Sequence, residues 1–85
     1  MTIRLYYGNS ALTTFEAVVR ACTPVAQGFD VRLDRTAFYP ASGGQPFDTG
    51  RLGAVRVLDV VDHGDEVAHI VDGALEPGTS VRGEI

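Results

Sequence analysis

Lysine is missing from this chain altogether. Its seven basic residues are all arginine, scattered as Arg4, Arg20, Arg32, Arg35, Arg51, Arg56 and Arg82. Against eleven acidic residues they leave a net charge of −4. A domain that grips nucleic acid unaided shows a basic face, because its affinity comes from releasing phosphate counterions. This composition excludes such a face in sequence, and leaves only a local arginine patch for folding to assemble. Cysteine is nearly absent as well: the lone Cys22 excludes an internal disulfide and fits a reducing compartment. There is no run of about eighteen apolar residues to cross a membrane as a helix. Met1-Thr2-Ile3-Arg4 lacks the apolar segment of a secretory signal. Together these absences give the expectation of a cytoplasmic protein. No internal repeat, charge block or linker divides the 85 residues, which form one small domain; 45% of them are hydrophobic, enough for a core with little margin.

What is present is short apolar alternation broken by turn residues. Thr2 to Tyr7 alternates as a half-buried strand would, with Ile3, Leu5 and Tyr7 on one face and Arg4 on the other. Gly8-Asn9-Ser10 is a turn. The stretch Phe15 to Cys22 fits two periods. Phe15, Ala17, Val19 and Ala21 alternate as in a strand, while Leu12, Phe15, Val19 and Cys22 follow helical spacing behind a Thr13-x-x-Glu16 capping box. Thr23-Pro24 is expected to close that element. Gly28 to Asp34 reads as a strand with Phe29, Val31 and Leu33 inward. Leu52 to Val61 is apolar on both faces, which leaves its register open. With the Asp62-His63-Gly64-Asp65 turn and Glu66 to Val71, residues 54–71 read as a hairpin. Turns at Asp72-Gly73 and Glu76-Pro77-Gly78-Thr79 precede a last strand, Ser80 to Ile85, with Val81 and Ile85 on one side. The whole is expected to be all-β, a small antiparallel barrel of about six or seven strands.

One stretch departs from this pattern. Leu33 to Gly50 reads LDRTAFYPASGGQPFDTG, too interrupted for a regular element and too aromatic for a disordered linker. Folded loops of that length in small domains are usually functional. Gly43-Gly44 suits a tight turn or the close approach of a ligand. Thr36 and Gln45 offer a hydroxyl and an amide, suited either to bonding local backbone or to reading a small polar group. On a strand, Asp34 and Arg35 point to opposite faces and are not expected to pair; Asp34 is placed to cap turn backbone. Phe38, Tyr39 and Phe47 are expected to anchor the loop to the core. Asp48-Thr49-Gly50 matches the triplet of aspartic proteases, which need two such carboxylates sharing a proton. The apolar strand before that triplet is replaced here by Pro46-Phe47, and Arg51 follows it, so a turn is the simpler role. Cys22, His63 and His69 are the only thiol and imidazole groups. A three-ligand site from them is conceivable in number, though His63 reads as a turn residue and His69 as a hairpin strand residue.

The order Asp34-Arg35-Thr36-x-Phe38-Tyr39-x-x-Ser42-Gly43-Gly44-Gln45-x-x-Asp48-x-Gly50 resembles the editing domain of alanyl-tRNA synthetase and its free-standing relatives, the AlaX-type alanyl-tRNA editing proteins. More loosely, the likeness extends from Leu5-Tyr6-Tyr7 to Gly83-Glu84-Ile85. It implies a barrel of the translation-protein type, with a strand at Phe15 to Cys22. It also implies a deacylase that hydrolyses the ester of tRNA(Ala) misacylated with serine or glycine, using a zinc ion and its water. Thr36 then matches the threonine that reads the serine hydroxyl, Gln45 a glutamine of the same pocket, and Gly43 and Gly44 its wall. Arg35 would meet a phosphate or a neighbouring domain. The chemical need is plain: a site built for alanine rejects serine poorly, whereas a second site that bonds the hydroxyl discriminates by about 10⁴. The family's zinc ligands come from a His-x-x-x-His and a later Cys-x-x-x-His, and neither occurs here. The chain is therefore expected to be the N-terminal barrel, ending at Ile85 before a zinc-binding catalytic part, and to have no deacylase activity alone. Two other readings stand beside it: a stand-alone interaction module docking through the glycine-aromatic loop, and a dimeric aspartic protease using Asp48.

Overall fold

The computed structural model describes residues 2–5, 13–40 and 50–85. Six strands close into an antiparallel barrel: β2 (Thr14–Val25), β3 (Gly28–Leu33), β5 (Gly50–Leu52), β6 (Val55–Asp62), β7 (Val67–Val71) and β8 (Ser80–Glu84), in the spatial order β2-β3-β7-β6-β5-β8. Closure leaves no free sheet edge among these strands. Two further strands, β1 (Ile3–Arg4) and β4 (Arg35–Thr36), pair in parallel outside the barrel ladder. No α-helix occurs among the described residues, and no helix among them is long and apolar enough to cross a membrane.

The ambiguous Phe15 region is a strand, with Phe15, Ala17 and Val19 buried on the inward face of β2. Alternation wins because β2 has ladder partners along its whole length, β8 as far as Val18 and β3 from Val19 onward. For the same reason Thr23-Pro24 does not end the element. β2 runs on to Val25, and Pro24 is tolerated because only β3 flanks that overhang. Asp34 smooths the hand-over between partners: its backbone N–H donates to Val18 O at 3.1 Å, and its carboxylate accepts the Val18 N–H at 2.9 Å.

The expected first strand shrinks to two residues with the opposite face inward. Thr2 is buried and Ile3 is 54% exposed. Thr2 N donates to Asp65 O, and its hydroxyl accepts the Val67 N–H at 3.2 Å, so backbone pairing with the β6–β7 corner outweighs the apolar pattern. Tyr7 and the Gly8 turn lie outside the described residues. In β6 a bulge resolves the two-faced apolar run. Val57 pairs with Val71 but Asp59 with Ile70, so the extra residue Leu58 shifts the phase. Val55 and Val57 point inward before the bulge and Val60 after it, while Leu58 faces out. The hairpin expected over 54–71 is β6–β7, and a tight turn at Gly53-Ala54 adds β5 before it.

In β8, Val81 and Gly83 face the core, and Ile85 is beyond the strand and exposed. Gly83 is there because Phe15 lies across it. A Cβ at 83 would stand 2.3 Å from Phe15 Cε1 and 2.4 Å from Cζ. An aromatic ring laid over a strand glycine fills the space the glycine lacks. Gly83→Ala is therefore expected to lower stability by about 1–3 kcal/mol, through displacement of the Phe15 ring. Urea denaturation would detect it, and a ring-current shift lost at residue 83 would locate it.

Candidate functional site

The segment after β3 bends at Asp34 and returns inward. Thr36, Ala37 and Phe38 are all buried, and Phe38 lies in the core cluster that the barrel strands surround. Its ring meets Phe15 edge-on, with centroids 5.7 Å apart and planes at 78°, and meets His69 similarly at 5.8 Å and 76°. Of the expected aromatic anchors, Phe38 performs that role and Tyr39 is 41% exposed; Phe47 lies outside the described residues.

Thr36 and His69 form a buried polar pair, both fully inaccessible. His69 Nδ1 is 2.9 Å from Val31 O, and its Nε2 is 2.8 Å from Thr36 Oγ1. A carbonyl only accepts, so Nδ1 carries the proton, and in the neutral ring Nε2 is the acceptor. The Thr36 hydroxyl thus donates its one proton to His69. It also accepts the Phe38 N–H at 3.0 Å. One lone pair of Thr36 Oγ1 remains. Burial pushes the His69 pKa down to about 4, because the charged ring would lose its water; the Val31 carbonyl and the Asp30 charge oppose this more weakly, and Arg32 adds to it. His69 is consequently neutral at ordinary pH, and the hydroxyl keeps this orientation.

The other residues singled out in the sequence divide as follows. Gly43, Gly44, Gln45 and Asp48 lie outside the described residues. Arg35 is at the surface, with Nε 3.5 Å from Asp34 Oδ2. That contact corrects the expectation that the two would not pair: Asp34 is at the bend between β3 and β4, so strand alternation does not separate them. Among the described residues no group of three histidine, cysteine or acidic side chains is placed to hold a metal. His69 has both ring nitrogens engaged, His63 is in the exposed corner between β6 and β7, and Cys22 Sγ accepts the Leu75 N–H at 3.5 Å. This donor set does not fit a zinc ion.

Sequence reasoning placed His69 on a hairpin strand, where it is found, but did not foresee its pairing with Thr36. The signal was present: in Val67-Ala68-His69-Ile70-Val71 the inward face is Val67, His69 and Val71, a lone imidazole between two core valines. Such a group must find hydrogen-bond partners inside.

No family model matches the chain. Over 99% of its length it is 42% identical to the alanine–tRNA ligase of Halorubrum lacusprofundi and 45% identical to that of Natronomonas pharaonis, in each case covering 10% of the relative. It is 44% identical to the alanine–tRNA ligase of Archaeoglobus fulgidus, covering 9% of that protein. The chain spans about a tenth of the length of the curated relatives it matches. It is homologous to a small part of alanine–tRNA ligase.

Proposed function

We propose that this barrel is part of an alanyl-tRNA editing domain and supplies one wall of the pocket that holds serine or glycine esterified to tRNA(Ala). The observation that carries the reading is the orientation of the Thr36 hydroxyl. Its proton is held by His69 and one lone pair by Phe38 N–H, so toward a third partner it acts as an acceptor alone. A serine side chain can donate to that acceptor; alanine and glycine have nothing to donate, so this contact selects serine, and glycine would have to be taken on its smaller size. Homology to alanine–tRNA ligases along nearly the whole chain supports the same substrate class. Because Thr36 is fully buried in the free chain, the reading requires its surroundings to part when substrate enters.

In this reading Gly43, Gly44 and Gln45 complete the wall. Arg35 exchanges its exposed contact with Asp34, a type worth about 0–1 kcal/mol, for a phosphate or an adjoining domain. Zinc ligands would come from outside the residues described, and the 85-residue chain alone would not deacylate. The protein would work in the cytoplasm, where misacylated tRNA is found.

The test uses the full-length protein carrying this barrel, with Ser-tRNA(Ala) and Ala-tRNA(Ala) as substrates. Thr36→Val keeps the shape and removes the hydroxyl. It is expected to lower serine deacylation by about 10-fold or more, and to cost about 1–3 kcal/mol of stability, because His69 Nε2 and Phe38 N–H lose their partner. Thr36→Ser restores the hydroxyl and should rescue both. Equal preference for serine and alanine in the unmodified protein would end the reading.

A further inference from the structure

The arginines that look scattered in sequence are sorted by the fold. Arg4 is held by Asp62 at 3.0 Å and also donates to Gly64 O, Arg32 is held by Asp30 and Glu66 at 2.9 and 3.1 Å, and Arg35 touches Asp34. Arg51 and Arg56 are different. They are directly opposite each other on β5 and β6, both exposed on the outer face, and neither guanidinium has an ion-pair or hydrogen-bond partner among the described residues. Like charges facing each other across a strand pair are destabilising. In a chain of net charge −4, with acidic residues to spare, such a pair is not forced by composition.

The two arginines border a groove of about 300 Å³ lined, among the described residues, by Gly50, Arg51, Arg56 and Val57. Gly50 adds no side chain to that groove, and cannot: with φ at 157°, a Cβ there would be 1.9 Å from Glu84 O. Among the described residues no carboxylate forms an ion pair with either guanidinium. Glu84 is level with Arg51 on β8 but forms no ion pair with it, and it is preceded on the same outward face by Arg82, which stands opposite Glu16 on β2 and likewise has no ion pair. Asp72 uses its carboxylate on the backbone N–H of Arg56 at 2.8 Å.

We infer that the β5–β6 face is an anion site, and that its occupant is the phosphodiester backbone of RNA. Adjacent guanidiniums present planar forks of N–H donors that match phosphate oxygens in pairs. An anion between them turns a repulsion into two attractions. RNA is favoured over a free small anion because the groove is open on an exposed strand face rather than enclosed. The choice of RNA rests on the proposed editing function; the anion site itself does not.

The experiment titrates the isotope-labelled 85-residue chain, followed by NMR, with a short RNA duplex, with inorganic phosphate and with polyglutamate. Amide shifts are expected to concentrate at Gly50, Arg51, Arg56 and Val57 with RNA, with log–log salt dependence of slope about −2 for two phosphates. Arg51→Gln should reduce that slope by about one and weaken binding about 10-fold. Arg56→Glu should abolish binding and yet raise the thermal midpoint by about 2–4 °C, since it replaces a like-charge pair by an opposite one. That rise also shows the variant is folded. RNA shifts that map elsewhere, or binding unchanged in Arg56→Glu, would overturn the site; a response to phosphate or polyglutamate equal to that with RNA would overturn the choice of occupant. The outcomes are separable from the editing proposal. RNA binding here by a full-length protein without deacylase activity would sink that proposal alone, and deacylation with no RNA response at Arg51 and Arg56 would sink this one.

Discussion

Phe38→Ala is expected to cost about 3–5 kcal/mol, the usual penalty for truncating a fully buried phenylalanine. Phe38 is fully inaccessible and belongs to no barrel strand; it enters the core from the segment after β4. Its ring bridges Phe15 on β2 and His69 on β7, so its loss opens a cavity between elements that share no ladder. Single domains have about 5–15 kcal/mol in total, and small ones sit toward the lower end because they bury proportionally less surface. The variant should thus be partly unfolded at 37 °C. Urea titration should show a lower midpoint with an unchanged slope, while Phe38→Leu, which keeps most of the volume, should fall between. A midpoint equal to that of the unmodified chain would mean the segment after β4 is not packed as described.

The second large effect is on pH. His69 titrates at about 4 in the folded chain and near 6.5 when unfolded. Between those values the unfolded state binds more protons, so stability rises with pH across the window. The contribution is complete above pH 6.5, declines as pH falls, and is gone once pH passes below the folded pKa of about 4. The size is about 3 kcal/mol, at roughly 1.4 kcal/mol per pH unit. Carboxylates lowered by ion pairing, Asp62 by Arg4 and Glu66 by Arg32, act in a lower window, beneath their unfolded values of 3.8 and 4.5. The slope between pH 5 and 6.5 is therefore that of His69. Denaturation midpoints measured across this range should rise with pH in the unmodified chain and be flat in His69→Gln. A flat profile in both would mean the imidazole is solvated rather than enclosed.

A protonated His69 would also reverse the site it supports. Both ring nitrogens would then be donors, and Thr36 Oγ1 would have to turn its own proton away. The low pKa prevents this at neutral pH, and so links core packing to the donor-acceptor sense of the one hydroxyl in the proposed pocket wall that the described residues include.

Strand existence was legible wherever one face is buried and ladder partners are continuous, as at Phe29, Val31 and Leu33, because burial on one face imposes a period of two on the sequence. It failed where backbone pairing rather than apolar contrast sets the face. Ile3 points out because Thr2 is tied to β7 through Val67 and to Asp65, a contact between the first and seventh tens of the chain that no local pattern encodes. Leu58 was unreadable for a related reason: a bulge inserts one residue and reverses inside and outside beyond it.

By itself the sequence determined that this is a small all-β domain without helical membrane spans, that Leu33 to Gly50 is its unusual segment, and that Phe15 and Phe38 are large apolar groups needing a core. These follow from composition and short-range periodicity, which act within a few residues. Only the tertiary structure decided that Thr36 meets His69, that Gly83 makes room for Phe15, and that Arg51 faces Arg56 while other arginines find carboxylates. Each joins residues on different strands, and barrel closure fixes strand order and register globally; a one-residue slip would exchange every inward side chain for an outward one.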